Sequence, residues 1–217
     1  MNKKIGLRMW IYISLLAFAS VVIIFQIYNP TALLKVVHED GITENLTVEL
    51  YLGSSLIFFY LLKKQKFHNI WYLGLGLLSF FMAGEELSWG QRIFHLSTPK
   101  YLETINYQQE INLHNIKMLH ARAVGLLIIL AIYFIVPITN KLVPKLNLFY
   151  EKHKFPIYPL WAIGIPAIII FTHVIPKLIF NSYPYAIEEI GETSLSVAFF
   201  LFAVSEFCNF RNKQRKV

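Results

Sequence analysis

Six stretches of mainly apolar residues, separated by short polar connections, dominate the pattern of this chain. They cover approximately residues 8–28, 47–62, 69–91, 121–139, 157–178 and 185–207. A transmembrane helix needs about 20 such residues, within a range of about 17–25. The second stretch is the shortest, and Glu49 lies at its edge. Because the connections are short, we expect one domain, residues 1–217, that is an all-α polytopic membrane bundle of about six helices.

The composition agrees with this class. The chain is 56% hydrophobic and 15% charged, whereas soluble domains average about 25% charged residues. Its single cysteine, Cys208, excludes an internal disulfide framework and most thiolate metal sites. We therefore expect a multi-pass protein of the cytoplasmic (inner or plasma) membrane, in contact with membrane lipid.

Basic residues are concentrated in every second connection. Of the 20 Lys and Arg residues, 14 lie in the amino terminus, the 63–68 loop, the 140–156 loop and the carboxyl-terminal tail. Cytoplasmic loops carry such an excess, which predicts that both termini are cytoplasmic and that the polar connection 93–120 is outside. Orientation in the membrane accounts for the net charge of +7. Nucleic-acid binding is not expected, since no basic face with interleaved aromatic residues accompanies the charge.

The amino terminus leaves one alternative open. Its basic start and apolar stretch are followed by Ala17-Phe18-Ala19, which is similar to a signal-peptidase site. The apolar run continues from Val21 to Phe25, which favours a retained first helix. Cleavage would leave five spans.

Carboxylates at the end of the third stretch are the first functional signal. Glu85 and Glu86 lie where a charge is costly, about 2.5 to 3.5 kcal/mol at the bilayer centre and less near the interface. Two like charges about 4 Å apart repel by roughly 4 kcal/mol at an effective dielectric of about 20. A proton, an arginine or a metal must offset this repulsion. The alternative is a structural ion pair, Glu85 with Arg92 or Glu86 with Arg122.

A second acidic group opens the sixth stretch. Glu188 and Glu192 are four residues apart, and Glu189 and Glu192 are three apart, so a helix brings each pair together. The predicted orientation places this group at the same outer depth as the glutamates of the third stretch. The alternative is that these residues only complement the dipole of a helix start.

The outer connection carries an alternating polar pattern. The alternating residues are Asn106, Gln108, Glu110, Asn112 and His114. In an extended chain they would point one way and line the mouth of a wet cavity. The alternatives are a solvated loop, or Asn112 as the cap of the fourth helix. Thr98-Pro99 predicts a short interfacial helix from about Pro99 to Ile105.

Together these clusters predict one site near the outer membrane boundary. The catalytic candidates are Glu85, Glu86, Glu189 and His114. The substrate-binding candidates are Trp89, Gln91, Arg92, Asn106, Gln108, Glu110, Asn112, Asn115 and Arg122. The candidate ligands of a divalent metal are Glu86, His114, Glu188 and Glu192. Carboxylate and imidazole ligands suit zinc, iron or manganese, although the sequence contains no His-Glu-x-x-His motif.

Two resemblances accompany these residues. Gly-Glu-Glu-Leu-Ser-Trp-Gly-Gln-Arg-Ile-Phe, then Thr-Pro and Asn-x-Gln-x-Glu-x-Asn-Leu-His-Asn, is similar to a signature of a family of uncharacterised bacterial multi-pass membrane proteins, over about residues 83–116. This resemblance implies a family and no activity. The Glu-Glu pair also resembles the intramembrane glutamate proteases of the CAAX-processing type. Those carry Glu-Glu-x-x-x-Arg, whereas Arg92 is six residues after Glu86, so no catalytic role is transferred.

Three functions are consistent with the sequence. The first is a metal-assisted hydrolase or transferase that acts on a lipid or lipid-linked substrate. In it a metal activates water, a glutamate acts as general base, and Arg92 or Arg122 binds an anionic head group. The second is a small proton- or cation-coupled transporter, since buried carboxylates relay protons or bind cations. The third is a noncatalytic membrane assembly or interaction protein, in which the charged residues hold helices together.

Overall fold

The computed structural model describes residues 41–91, 93–113, 115–116, 128–169 and 185–215, with scattered positions between 9 and 31. Within these ranges the chain is helical, and no β-strand is formed. The helices are α1 (Ile42–Lys64), α2 (Ile70–Glu86), α3 (Lys100–Ile105), α4 (Ile128–Leu142), α5 (Pro144–Lys152), α6 (Gly164–Ile169) and α7 (Tyr185–Gln214). Short 3₁₀ turns occur at Ser88–Gly90 and Leu160–Ala162.

Two of the described helices are long and apolar enough to cross a membrane, namely α1 and the Glu189–Gln214 part of α7. A third is counted if α4 and α5, which meet at an angle of 113°, form one bent span. The bend occurs at Val143, whose backbone is extended before Pro144, as expected because proline disfavours helical backbone in the preceding residue. Helix α2 has 17 residues, which is the lower limit of what a span needs.

The predicted stretches correspond to these helices with shifted ends. The 47–62 stretch lies within Ile42–Lys64, and the 185–207 stretch continues to Gln214. The 69–91 stretch forms a helix that ends at Glu86. The 140–156 connection contains a helix, Pro144–Lys152. The short helix predicted from about Pro99 to Ile105 is confirmed as Lys100–Ile105. Most of 8–28, and parts of 121–139 and 157–178, lie outside the described residues.

Aromatic side chains form the centre of the bundle of α1, α2 and α7. The Phe58 ring of α1 lies 6.1 Å from the Tyr72 ring of α2, 6.2 Å from Phe199 and 5.7 Å from Phe202 of α7. Phe58 and Phe202 are almost completely buried. Aromatic pairs contribute about 0.5–1.5 kcal/mol beyond their buried area. Since lipid tails are as apolar as these side chains, close packing and hydrogen bonds drive the association of helices in a bilayer.

Small and polar residues bring the helices close together. The Ser55 hydroxyl of α1 donates to the Gly76 carbonyl oxygen of α2 at 2.9 Å. The Thr47 hydroxyl of α1 donates to the Thr193 hydroxyl of α7 at 3.0 Å. A Cβ atom on Gly76 would lie 2.9 Å from the Phe59 ring. The absence of a side chain at Gly76 therefore allows α1 and α2 to approach.

This close approach yields a stability prediction with a matched control. Replacing Gly76 by Leu overpacks the contact between α1 and α2, which typically costs about 1–3 kcal/mol. Gly74 lies on the same helix with no atom within 4 Å of an added Cβ, so Gly74→Leu gains the same helix propensity without the clash. We expect thermal unfolding in detergent to show Gly76→Leu less stable than Gly74→Leu by that amount. Equal stability of the two variants would contradict this account of the contact.

Candidate functional site

Helix α2 ends at Glu86 because the following residues adopt left-handed backbone. The φ angles are 44° at Ser88, 53° at Trp89 and 76° at Gly90. Each non-glycine residue in that region costs of order 1–3 kcal/mol and is held there by its surroundings. Helix α2 does not extend to Trp89, so Trp89 does not share a helix face with Glu85. Its indole instead folds back over Gly84.

Glu85 holds this turn and the following loop onto the end of α2. Its side chain is 2% exposed. One carboxylate oxygen accepts a hydrogen bond from the Trp89 indole nitrogen at 2.7 Å, and the other accepts one from the Leu113 amide at 2.6 Å. Hydrogen bonds to charged groups contribute about 1.5–3 kcal/mol each. Glu85, predicted as a catalytic residue, is thus bonded through both oxygens and positions the loop.

A buried polar network continues from this turn into the loop. Asn106 and Asn112 are almost fully buried, and the Asn106 amide donates to the Asn112 carbonyl at 2.9 Å and to its side-chain oxygen at 2.8 Å. The Asn112 amide donates to the Ser88 hydroxyl at 3.0 Å, and that hydroxyl donates to the Glu110 carboxylate. These bonds join the loop to the 3₁₀ turn through the buried side chains of Ser88, Asn106 and Asn112 and the part-buried side chain of Glu110.

The other predicted loop residues take part in the same network. Gln91 accepts a hydrogen bond from the Ile111 amide and donates to the Thr98 hydroxyl, both at 2.7 Å. Asn115 donates to the Gln108 side chain. The loop is bent, with a φ of 59° at Gln109, so the alternating residues do not form one straight strip. Most of the predicted substrate-binding residues that are described therefore have hydrogen-bond partners within the loop.

Carboxylates from three helices lie within electrostatic range of Glu86. Glu86 is within electrostatic range of Glu189 on α7, of Glu44 on α1 and of Glu85. Tyr51 on α1 lies close to both Glu86 and Glu192. The acidic cluster consists of Glu44, Glu85, Glu86, Glu189 and Glu192. The structure thus brings together glutamates of the third and sixth predicted spans, and adds Glu44, which precedes the predicted start of the second.

Within the acidic cluster, Glu86 differs from its neighbour Glu85. Its side chain is 9% exposed, and it accepts neither of the two described hydrogen bonds that hold Glu85; its oxygens are not among the fully buried, unpartnered atoms of the described residues. Buried polar groups are almost always hydrogen-bonded, and a buried charge without a partner is costly. A carboxylate in this position can become neutral by taking up a proton or by binding a cation. Proton uptake at Glu86 is therefore a chemistry that this arrangement allows.

Several predicted site residues lie outside the described part of the chain. These are Arg92, His114 and Arg122, together with the side chain of Glu188, whose backbone belongs to α7. Among the side chains that are described, no group of three or more His, Cys, Asp or Glu is arranged to hold a metal. The metal-ligand set that includes His114 and Glu188 stays a prediction from the sequence.

Buried polar residues at and beyond the acidic cluster were not predicted. The Tyr133 hydroxyl is buried and has no hydrogen-bond partner among the described groups, and its ring lies 4.6 Å from that of Tyr158. Near the other end of α7, Glu206 is also 9% exposed and accepts a hydrogen bond from the Tyr72 hydroxyl at 2.9 Å. Glu206 could have been recognised from the sequence, because it is a single glutamate near the end of an apolar stretch. The tyrosines carried no signal, since their spacing is that of an ordinary apolar helix.

Comparisons of the chain with protein-family models, with curated proteins and with solved structures find no match. The similarity of residues 83–116 to a bacterial membrane family therefore stays a prediction.

The two adjacent glutamates give a second prediction. Glu85→Ala removes the acceptor of the Leu113 amide, so hydrogen exchange at this amide should accelerate roughly tenfold to a hundredfold, which corresponds to about 1.5–3 kcal/mol. Glu86→Ala is the control, because Glu86 accepts no hydrogen bond from the described part of the loop, and the exchange there should stay close to that of the wild type. Exchange measured by mass spectrometry checks both. Equal acceleration in the two variants would show that Glu85 does not hold the loop.

Proposed function

We propose that the chain is a six-span protein of the bacterial cytoplasmic membrane, with both termini in the cytoplasm and the acidic cluster at the outer side. The direction of the described helices supports this arrangement. Helix α1 has Glu44 near its start and Lys64 at its end, and α2 runs back and ends at Glu86. Helix α7 has Glu189 near its start and Lys213 near its end. Acidic residues thus share one end of these helices and basic residues the other, as expected when the basic end is cytoplasmic.

We further propose that the acidic cluster is the cation-binding centre of a hydrolase or transferase that acts on a lipid or lipid-linked substrate. The observation that carries this proposal is Glu86, a buried carboxylate among other carboxylates with no described hydrogen-bond donor. A divalent metal would offset the mutual repulsion of the carboxylates and would lower the pKa of a bound water. Glu189, which lies beside Glu86, is then the candidate general base.

The sequence supplies the other parts of this proposed site. His114 and Glu188 are the candidate additional ligands of the metal, in keeping with the preference of zinc, iron and manganese for imidazole and carboxylate. Arg92 and Arg122 are the candidates for binding an anionic head group. A site near the membrane boundary favours a substrate that enters from the bilayer, with its reactive group at the height of the head groups.

Cation binding tests this proposal directly. We expect the purified protein to bind a divalent cation such as Zn²⁺ or Mn²⁺, and Glu86→Gln to weaken binding by at least about tenfold, the equivalent of 1.4 kcal/mol. Glu49→Gln is the control, because Glu49 is an exposed glutamate of α1 outside the acidic cluster. Titration calorimetry and metal analysis measure the effect. A wild-type protein that binds no divalent cation, or a Glu86→Gln variant that binds it equally well, would overturn the metal-assisted mechanism.

A proton-coupled transporter is the second candidate, and buried groups between the two ends favour it. Glu86 lies in the acidic cluster and Glu206 near the basic end of α7. Tyr51 lies beside Glu86, and the electrostatic environment of Tyr133 includes both Tyr51 and Tyr158. Buried carboxylates relay protons in many pumps. Tyr133 and Tyr158, whose rings lie 4.6 Å apart, are the candidate members of such a relay.

Proton flux distinguishes the two candidates. If the chain is a proton-coupled carrier, proteoliposomes should take up protons, and Glu86→Gln and Glu206→Gln should each abolish the uptake, because each removes a buried proton acceptor. Under the enzyme proposal, Glu206→Gln should leave cation binding at the acidic cluster unchanged, because Glu206 belongs to the other end of α7. A fluorescent pH indicator inside the liposomes measures the uptake, with Glu49→Gln as control. Uptake that survives both substitutions would exclude this relay.

A further inference from the structure

A large pocket occupies the basic end of the bundle, on the far side from the acidic cluster. Its volume is about 1110 Å³. The end of α1, the start of α2, the bend between α4 and α5, and the last turns of α7 surround it. The proposed enzyme or transporter site does not use this pocket, apart from the buried glutamate of α7 at its wall.

The pocket is rich in positive charge. Its lysines are Lys64, Lys66, Lys154 and Lys213. They come from three separate segments of the chain, and only two carboxylates, Glu151 and Glu206, accompany them. Glu206 is already engaged, because it accepts a hydrogen bond from the Tyr72 hydroxyl at 2.9 Å and lies within electrostatic range of Lys213. The pocket therefore presents more ammonium groups than its own carboxylates can neutralise.

Specific contacts fix the position of one of these lysine segments. The Asn69 side chain is almost fully buried and donates to the Lys154 carbonyl oxygen at 2.9 Å. Its oxygen accepts a hydrogen bond from the Trp71 amide at 3.1 Å and caps α2. The Trp71 ring lies 4.3 Å from the ring of Phe155. The 154–155 segment is thus held at the start of α2, which places Lys154 at the pocket.

Side-chain amides supply further hydrogen-bonding groups. Asn140, Asn147, Asn209 and Asn212 line the pocket. The Asn147 amide donates to the Asn140 oxygen at 3.2 Å, which leaves each of these two amides with unused capacity for another hydrogen bond. Ammonium groups beside amides suit an anion with several oxygen atoms, and lysine is a common phosphate-binding residue.

The surface beside the pocket is apolar, which favours a lipid as the source of that anion. Helix α5 turns by 113° from α4, and it exposes Leu148 and Phe149. Phe67, in the turn after α1, is 72% exposed. Exposed aromatic and aliphatic side chains next to lysines are typical of a segment that lies at a membrane surface. An acyl chain would continue from the pocket along these side chains.

We propose that this pocket binds the phosphate headgroup of an anionic phospholipid from the membrane leaflet at the basic end. Basic pockets between membrane helices on the cytoplasmic side bind such headgroups. The lysines contact the phosphate, the asparagines bind the remaining headgroup oxygens, and the acyl chains lie against α5 and Phe67. This inference requires only that the protein is embedded in a membrane, so it stands apart from the function of the acidic cluster.

The test compares lysines that line the pocket with lysines beside it. The pocket variant is Lys64→Gln with Lys154→Gln, and the control variant is Lys63→Gln with Lys152→Gln. All four side chains are exposed, and only the first pair lines the pocket. Each variant removes two positive charges from the same two segments, so general attraction to an anionic lipid falls equally in both. Native mass spectrometry of the full chain in detergent measures the binding of phosphatidylglycerol and phosphatidylcholine.

We expect the wild type to prefer phosphatidylglycerol, and the pocket variant to bind it on the order of tenfold more weakly than the control variant. Equal binding by the two variants, or equal binding of the two lipids by the wild type, would overturn the proposal. Lys66→Gln with Lys213→Gln serves as a second pocket variant if the first does not fold. A further measurement tests the binding of glycerol phosphate, which carries a phosphate group but no acyl chains. Binding of that molecule as tightly as the lipid would overturn the lipid assignment and indicate a soluble phosphate ester.

Discussion

A carboxylate buried among helices must be hydrogen-bonded or neutralised, because an unpartnered charge in an apolar environment is costly. Glu85 and Glu86 are adjacent and meet this requirement differently. Glu85 accepts hydrogen bonds from Trp89 and from the Leu113 amide, and so holds a loop whose own network begins at Ser88. Glu86 has no such donors among the described groups and lies near other carboxylates. Glu85 is thus bonded to the loop, and Glu86 is left as the candidate for binding a proton or another ligand.

The same requirement explains why the two ends of the bundle differ. At the basic end, Glu206 lies near Lys213 and accepts a hydrogen bond from Tyr72, so the protein itself supplies partners for the buried acid. At the other end Glu86 lies within electrostatic range of further carboxylates, those of Glu44, Glu85 and Glu189. The lysines and arginines concentrated at one end are the signal from which a cytoplasmic orientation of that end is proposed. The same charge difference underlies the two proposals, an anion at the basic end and a proton or cation at the acidic cluster.

The sequence predicts the helices better than it predicts the use of their polar residues. The apolar stretches predict helices α1, α2 and α7 directly, since a membrane helix must be continuously apolar. The end of α2 was placed too late, because left-handed backbone at Ser88 and Trp89 leaves no pattern in the residue types. Asn106 and Asn112 were recognised as candidates, yet their alternation suggested an extended segment that lines a cavity mouth, whereas their mutual hydrogen bond is formed across a bend. Tyr133 could not be found, because burial of its hydroxyl depends on three-dimensional packing.

The aromatic core limits proton transfer between the two ends of the bundle. Phe58, Phe199 and Phe202 lie between Tyr51, beside the acidic cluster, and Tyr72, beside Glu206. A phenylalanine ring neither donates nor accepts a proton, so a relay through this packed centre would have to pass around it by way of Tyr133 and Tyr158, whose rings are 4.6 Å apart. The Tyr133 hydroxyl, which has no hydrogen-bond partner among the described groups, is the candidate link on that route. If it serves only packing, the aromatic layer isolates the acidic cluster, which is the condition that an enzyme with its reaction confined to one membrane face requires.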